Sequence, residues 1–361
     1  MSTNPSGVAP EGAHCEGVRK IAVLRANALG DFIFALPALA ALKAAYPTAE
    51  LVLLGLPWHA AFLRGRPGPV DRVVVVPPSP GVRGEPGKTE VDEAELERFF
   101  AAMAAERFDL ALQLHGGGRY SNPFVRRLGA RMTAGLKTPD AQPLDRWVPY
   151  VYFQHEVLRY LEVAALVGAP PVSLAPCLEL MPADHQEAAE VVPASGGPLV
   201  VLHPGASDPR RRWPVKRFAA VGDALAGKGA RIAVTGTGPE GVLVDELVDA
   251  MCAPAMNLCD RLSLGGLAGL LKRATLLVSN DSGPLHVATA LGGRTVGLFW
   301  CANLINGGPL YRTRHRPLLS WRLECPACGQ NCMTGRCQHK ASFLDGISVE
   351  EVLAEALDLY Q

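Results

Sequence analysis

Short apolar runs that alternate with helix-like stretches constrain this chain more than any other feature. Runs at 21–24 (IAVL), 50–54 (ELVLL), 72–76 (RVVVV) and 109–114 (DLALQL) are separated by Ala-rich or amphipathic segments around 37–46 and 92–106. Strands buried on both faces read as continuous Val/Ile/Leu runs. Their alternation with helices builds a doubly wound parallel sheet. Residues 77–90 (PPSPGVRGEPGKTE) are a loop by composition, and a helix over 151–168 ends at Ala169-Pro170-Pro171. The pattern then restarts with 199–202 (LVVL), 231–235 (RIAVT), 274–279 (ATLLVS) and 295–299 (TVGLF). The spacing predicts two similar α/β domains facing a cleft, closed by an apolar-periodic helix at 348–360.

With 361 residues, 48% hydrophobic and 19% charged, the chain is long enough for two domains with their own cores. Its 35 basic and 35 acidic residues are spread almost evenly over the two halves, which argues against a nucleic-acid partner. The first 17 residues hold neither a basic nor an apolar signal region, and no apolar run is long enough to span a bilayer. The expectation is a cytoplasmic protein, with peripheral contact at the inner face of the membrane left open. Nine cysteines in that setting are thiols or metal ligands rather than disulfides. Cys15, Cys177, Cys252, Cys259 and Cys301 are scattered and expected as plain buried residues.

Ligands of open α/β sheets bind beyond the carboxyl ends of the strands. The loop after the first strand, Arg25-Ala-Asn-Ala-Leu-Gly-Asp31, lacks the three-glycine phosphate fingerprint and carries a carboxylate where an anion would sit. In the second half, Asn280-Asp281-Ser282-Gly283-Pro284 precedes a helix containing His286. It suits either a diphosphate site or an ordinary N-cap. The loop His203-Pro-Gly-Ala-Ser207 leads into Arg210-Arg211-Arg212-Trp213-Pro214. Three guanidinium groups there can grip phosphate oxygens or form a solvated face. Glu240, after the next strand, can accept both hydroxyls of a ribose.

Three segments in this order, IAVLRANALGDFIFALPALAALKAAYP, LHPGASDPRRRWPVKRF and VSNDSGPLHVATALGGRTVGLF, resemble the heptosyltransferase-like glycosyltransferases of family 9. The resemblance spans roughly residues 19–358. It implies the GT-B fold, with two Rossmann-like domains, and inverting transfer of heptose from ADP-heptose to a glycan or lipid-linked acceptor such as the lipopolysaccharide inner core. It also implies that Asp31 is the catalytic base and that Ser207 contacts donor phosphate. Arg211 falls where the family usually has Lys, which keeps the charge but changes the hydrogen-bond geometry. It would stabilise the leaving diphosphate. Glu240 matches the ribose-binding acid and Leu262 the position along the adenine. Asp281, Ser282, Gly283 and His286 match the diphosphate loop and its helix. The domains then read as a disordered tail over 1–18, an acceptor domain over 19–175, a nucleotide-sugar donor domain over 176–345 and a C-terminal helix over 346–361. Acceptor specificity is expected around Trp58-His59, His115–Arg119 and Lys137. The same chemistry on a protein or metabolite acceptor, or a nucleotide-sugar epimerase of the same architecture, are the alternatives.

Within the donor domain, segment 325–339 places Cys325, Cys328, Cys332 and Cys337 close together. Such density suits a tetrahedral thiolate site for structural zinc or iron, with His339 as a spare ligand. Reduced thiols and disulfides are the competing states. No metal or cofactor is expected to be needed for the transfer itself.

Overall fold

The computed structural model describes residues 12, 14–194, 196–335 and 337–360. The chain divides into two compact units between Pro176 and Cys177.

The first unit is one parallel sheet. Its strands are β1 (Lys20–Leu24), β2 (Glu50–Gly55), β3 (Arg72–Val75), β4 (Leu110–Gln113), β5 (Met132–Lys137) and β6 (Arg146–Pro149). Their spatial order is β3-β2-β1-β4-β5-β6. The second unit repeats the plan with β7 (Leu199–His203), β8 (Arg231–Val234), β9 (Ala255–Asn257), β10 (Leu276–Asn280), β11 (Thr295–Trp300) and β12 (His315–Ser320). Its order is β12-β11-β10-β7-β8-β9. Both are the 3-2-1-4-5-6 arrangement of dinucleotide-binding sheets, in which the order reverses beside the first strand of each unit. The switch points lie between β1 and β4 and between β7 and β10.

The central strands carry the cores. Ala22, Leu24, Val52 and Leu54 pack with Phe100, Phe108 and Phe124 in the first unit. In the second, Val200, Leu202, Val278 and Leu298 pack with Trp213 and Phe218. Val352, Ala356 and Leu359, one face of the last helix (Val349–Tyr360), complete that core. The helix expected over 346–361 is thus an integral part of the second unit.

The helix expected near 37–46 begins much earlier, at Leu29, and runs to Ala45 with Pro37 inside it. An interior proline costs roughly 3 kcal/mol. Phe32, Ile33, Leu36, Leu39 and Leu42 of the same helix are all buried, each worth about 1.5–3 kcal/mol. Burial therefore wins. The helix expected over 151–168 is Glu156–Ala165, because the carbonyls of Val151, Tyr152 and Gln154 all accept from Arg159 instead of continuing a helical ladder.

Of the tail expected over 1–18, residues 1–11 and 13 lie outside the described residues. Residues 14–18 are packed, not loose: the Cys15 N–H donates to the Tyr46 hydroxyl at 3.0 Å and Val18 is buried. Among the scattered cysteines, Cys15 and Cys301 are buried, whereas Cys177 and Cys252 are exposed and Cys259 is half-buried.

Candidate functional site

In the first unit the chemistry gathers at the carboxyl end of β1. Asp31 sits in the first turn of the helix Leu29–Ala45, whose N-cap, Ala28, has no side-chain acceptor. The Ala28 N–H instead donates to Asp31 Oδ2 at 3.2 Å. Arg25, the residue after β1 and only 2% exposed, donates from Nη2 to Asp31 Oδ1 at 2.8 Å and from Nε to the Asp31 carbonyl at 3.2 Å. The Asp31 side chain is 36% exposed. Its carboxylate keeps lone pairs open to an incoming hydroxyl.

Behind Asp31 lie two charged groups that the sequence did not single out, Glu156 and Arg159, and the histidines of the expected acceptor loops. Arg25 Nη2 is 3.5 Å from Glu156 Oε2, and Glu156 also pairs with Arg159. Burial pushes the Glu156 carboxyl above the usual carboxylate range, although Arg25 and Arg159 pull the other way. His115 accepts the Ala26 N–H on Nδ1 at 3.2 Å, and His59 accepts the Leu56 N–H at 2.9 Å. Burial, with the Arg25 charge nearby, holds each of these imidazoles down to about 3. His59 is fully buried and stacks on Trp58, so it is not open to an acceptor as expected. Lys137, at the end of β5, lies 5.1 Å from the centroid of the Trp147 ring.

The second unit gathers Ser207, Arg211, Asp281, Ser282 and His286 at the carboxyl ends of β7 and β10. Arg211 donates from Nη1 to Asp281 Oδ2 at 2.8 Å and from Nη2 to Ser207 Oγ at 2.7 Å. His286 Nε2 lies 3.0 Å from Asp281 Oδ1. Burial pushes the Asp281 carboxyl up, but His286 and Arg211 outweigh it and hold the group below its ordinary 3.8. The helix Gly283–Ala290 starts at Ser282, whose Oγ pairs with Ser279 Oγ at 3.1 Å rather than capping the helix. The backbone N–H groups of Gly283 and Leu285 thus lack a side-chain cap from Ser282, as an anion site requires.

Only the middle member of the arginine run reaches this cluster. Arg210 is paired with Asp208 at 2.6 Å, and Arg212 donates to the Ala206 carbonyl at 2.8 Å. Glu240, beyond β8, accepts the Thr237 N–H at 2.9 Å and packs against Gly205. Leu262 precedes Ser263, the N-cap of the helix Leu264–Arg273. Ser263 is tied to Glu187 through its N–H at 2.6 Å.

Cys325, Cys328, Cys337 and His339 place their ligand atoms within 4.8 Å of one another. His339, expected as a spare, takes the place expected of Cys332. The reason is the register of a small hairpin: the Cys325 N–H donates to the Gln330 carbonyl and the Cys332 N–H to the Leu323 carbonyl. This leaves Cys332 outside the set, its thiol 3.3 Å from the Gln330 carbonyl. Hydrogen bonds from the backbone of Ala327 and Cys328, together with the neighbouring thiols, lower Cys325 to about 7. Three soft thiolates and an imidazole are a donor set for zinc or iron. Arg316, one of the basic residues leading into this segment, is paired with Glu355 and Asp358.

Two Rossmann-like parallel sheets, one with a half-exposed carboxylate and the other with a cationic loop at the strand ends, define an α/β protein of the GT-B class. The family model for glycosyltransferase family 9 (heptosyltransferase) matches residues 96–332, and the chain belongs to that family. It is 25% identical over 297 residues to lipopolysaccharide heptosyltransferase 2 of Salmonella typhimurium, which covers 78% of this chain and 82% of that protein. The solved ADP-heptose lipopolysaccharide heptosyltransferase II of E. coli matches with a TM-score of 0.74 at 19% identity, over 95% of this chain and 98% of that one. The iron-containing dodecameric glycosyltransferase TibC of enterotoxigenic E. coli matches with a TM-score of 0.53 at 11% identity, over 96% of this chain and 77% of that one. Among the described residues, no helix is long and apolar enough to cross a membrane.

Proposed function

We propose that the protein transfers heptose from ADP-heptose to a hydroxyl of a lipopolysaccharide inner-core acceptor, with inversion at the anomeric carbon. The observation that carries this proposal is the Ser207–Arg211–Asp281 cluster at the β7–β10 switch point of a family 9 chain. The donor diphosphate lies against Ser282, Gly283 and the N-terminus of the helix Gly283–Ala290. Arg211 uses two of its five N–H groups on protein partners and offers the rest to phosphate oxygens. Glu240 takes the ribose hydroxyls and Leu262 lies along the adenine.

In the transfer, Asp31 takes the acceptor hydroxyl's proton as that oxygen forms its bond to the anomeric carbon. The bond from that carbon to the diphosphate oxygen breaks, and ADP leaves with the electron pair. Arg211 and the helix N-terminus stabilise the charge that develops on it. The acceptor would be met at the cytoplasmic face of the inner membrane.

The cysteine segment is proposed as a structural metal site held by Cys325, Cys328, Cys337 and His339, with zinc or iron as the ion. It takes no part in the transfer.

The test is Asp31→Ala. Turnover is expected to fall by orders of magnitude, read as ADP release from ADP-heptose, while the affinity for ADP by calorimetric titration stays within about twofold. A parallel loss of both would make Asp31 a helix cap rather than a base. Preference of the wild type for UDP over ADP would overturn the donor assignment.

A further inference from the structure

The carboxyl end of β1 holds four charged groups in one chain of contacts: Asp31, Arg25, Glu156 and Arg159. Two are cations and two are carboxylates, so the set is formally neutral. Arg25 and Arg159 are buried, with side chains 2% and 1% exposed, and Glu156 is mostly covered, at 16%. Asp31 is the one member open to solvent, at 36%. A buried ion pair is weak evidence for stability, because well-packed apolar residues often serve as well. Here the covered members of the network converge on its one open member, Asp31.

The contacts of Arg25 are complete enough to fix it. Nη1 donates to the Leu114 carbonyl at 2.7 Å, and the guanidinium lies 4.7 Å from the centroid of the Tyr160 ring. Its remaining N–H groups face Asp31 and Glu156. Arg159 in turn is tied to three backbone carbonyls, and its guanidinium lies 4.5 Å from the Tyr150 ring centroid. The other titratable groups near Arg25 are the Tyr150 and Tyr160 phenols and His59 and His115, the two histidines buried, with ring nitrogens accepting backbone N–H groups. They carry no charge in the neutral range. The field on Asp31 is therefore set by Arg25, with Glu156 competing for the same guanidinium.

We infer that Arg25 is the positioning residue of Asp31, with Glu156 and Arg159 holding it in place. It locks the carboxylate in the rotamer that leaves a lone pair facing outward. Glu156 prevents Arg25 from neutralising Asp31 outright by sharing its charge. The inference rests on the proposal that Asp31 is the base.

ADP release from ADP-heptose is measured with heptose-deficient lipopolysaccharide as acceptor, and ADP affinity by calorimetric titration. Arg25→Met is expected to lower kcat tenfold or more while KM for ADP-heptose and the affinity for ADP stay within about twofold. An unchanged kcat in a folded Arg25→Met protein overturns the inference, as does a parallel loss of ADP affinity. If that variant does not fold, Arg25→Lys, in which a point charge replaces a fork, decides: a tenfold or larger fall in kcat at constant KM for ADP-heptose supports the inference, and an unchanged kcat overturns it. Full activity of Asp31→Asn would sink the base assignment itself, whereas an inactive Asp31→Asn with an unchanged kcat for Arg25→Met sinks only the role of Arg25.

Discussion

A Cβ built on Gly205 would lie 1.9 Å from Glu240 Oε1 and 2.9 Å from His203 Nε2. Glycine is therefore required there for space, so that the backbone after β7 can approach the carboxylate after β8. Gly205→Ala should swing the flexible Glu240 side chain aside and press more lightly on the buried His203 ring. If Glu240 binds the ribose, ADP affinity falls tenfold or more by calorimetry while Tm moves by only a few degrees. An unchanged Kd would remove Glu240 from the donor site. At this scale the sequence is legible in part. Asp31, Arg211 and Asp281 stand out because they follow apolar strands. Arg25 follows β1 as directly, but its role is not legible there, because Glu156 and Arg159, which complete its network, lie far away in the chain and only the fold brings them to it. The arginine run misleads for the opposite reason: Asp208 and the Ala206 carbonyl, a few residues away, take two of its three guanidinium groups.

Elements differ in how far sequence betrays them. The central strands are continuous apolar runs and are read off directly. Strands β5, β6, β9 and β12 (MTAGLK, RWVP, AMN, HRPLLS) are missed, being short, polar or rich in small residues. Pro149 and Pro317 sit in β6 and β12, the edge strands where a lost donor is tolerated. The cysteine hairpin shows the same limit: the sequence supplies the thiols, but the register decides which ones meet. Cys328→Ser and His339→Ala should each abolish stoichiometric metal, measured on protein purified without chelator, whereas Cys332→Ser should retain it. Metal kept by His339→Ala and lost by Cys332→Ser would restore the all-cysteine set. Turnover with ADP-heptose should survive metal removal at temperatures where the hairpin's loss does not unfold the second unit.

At the scale of the whole molecule, both units carry histidines that folding keeps uncharged. His59 and His115 in the first are held at about 3, and His315 in the second at about 4, in each case chiefly by burial. His203 is shifted the same way by burial. A lowered folded value means that the unfolded chain takes up protons first, beginning near its ordinary 6.5. Stability is thus complete above that pH and declines as the pH falls toward the folded values. Each such histidine contributes a slope of about 1.4 kcal/mol per pH unit over its window. Asp281, whose folded value is depressed, adds its own loss only below its ordinary 3.8. Urea unfolding should therefore show a midpoint that is flat above pH 7 and falls steadily between pH 6 and pH 4.5. His115→Asn should flatten that decline by about one proton's worth. A midpoint unchanged from pH 7 to pH 5 would mean that these imidazoles charge freely in the folded protein, and that the packing around Arg25, which excludes a second positive charge, is looser than the distances require.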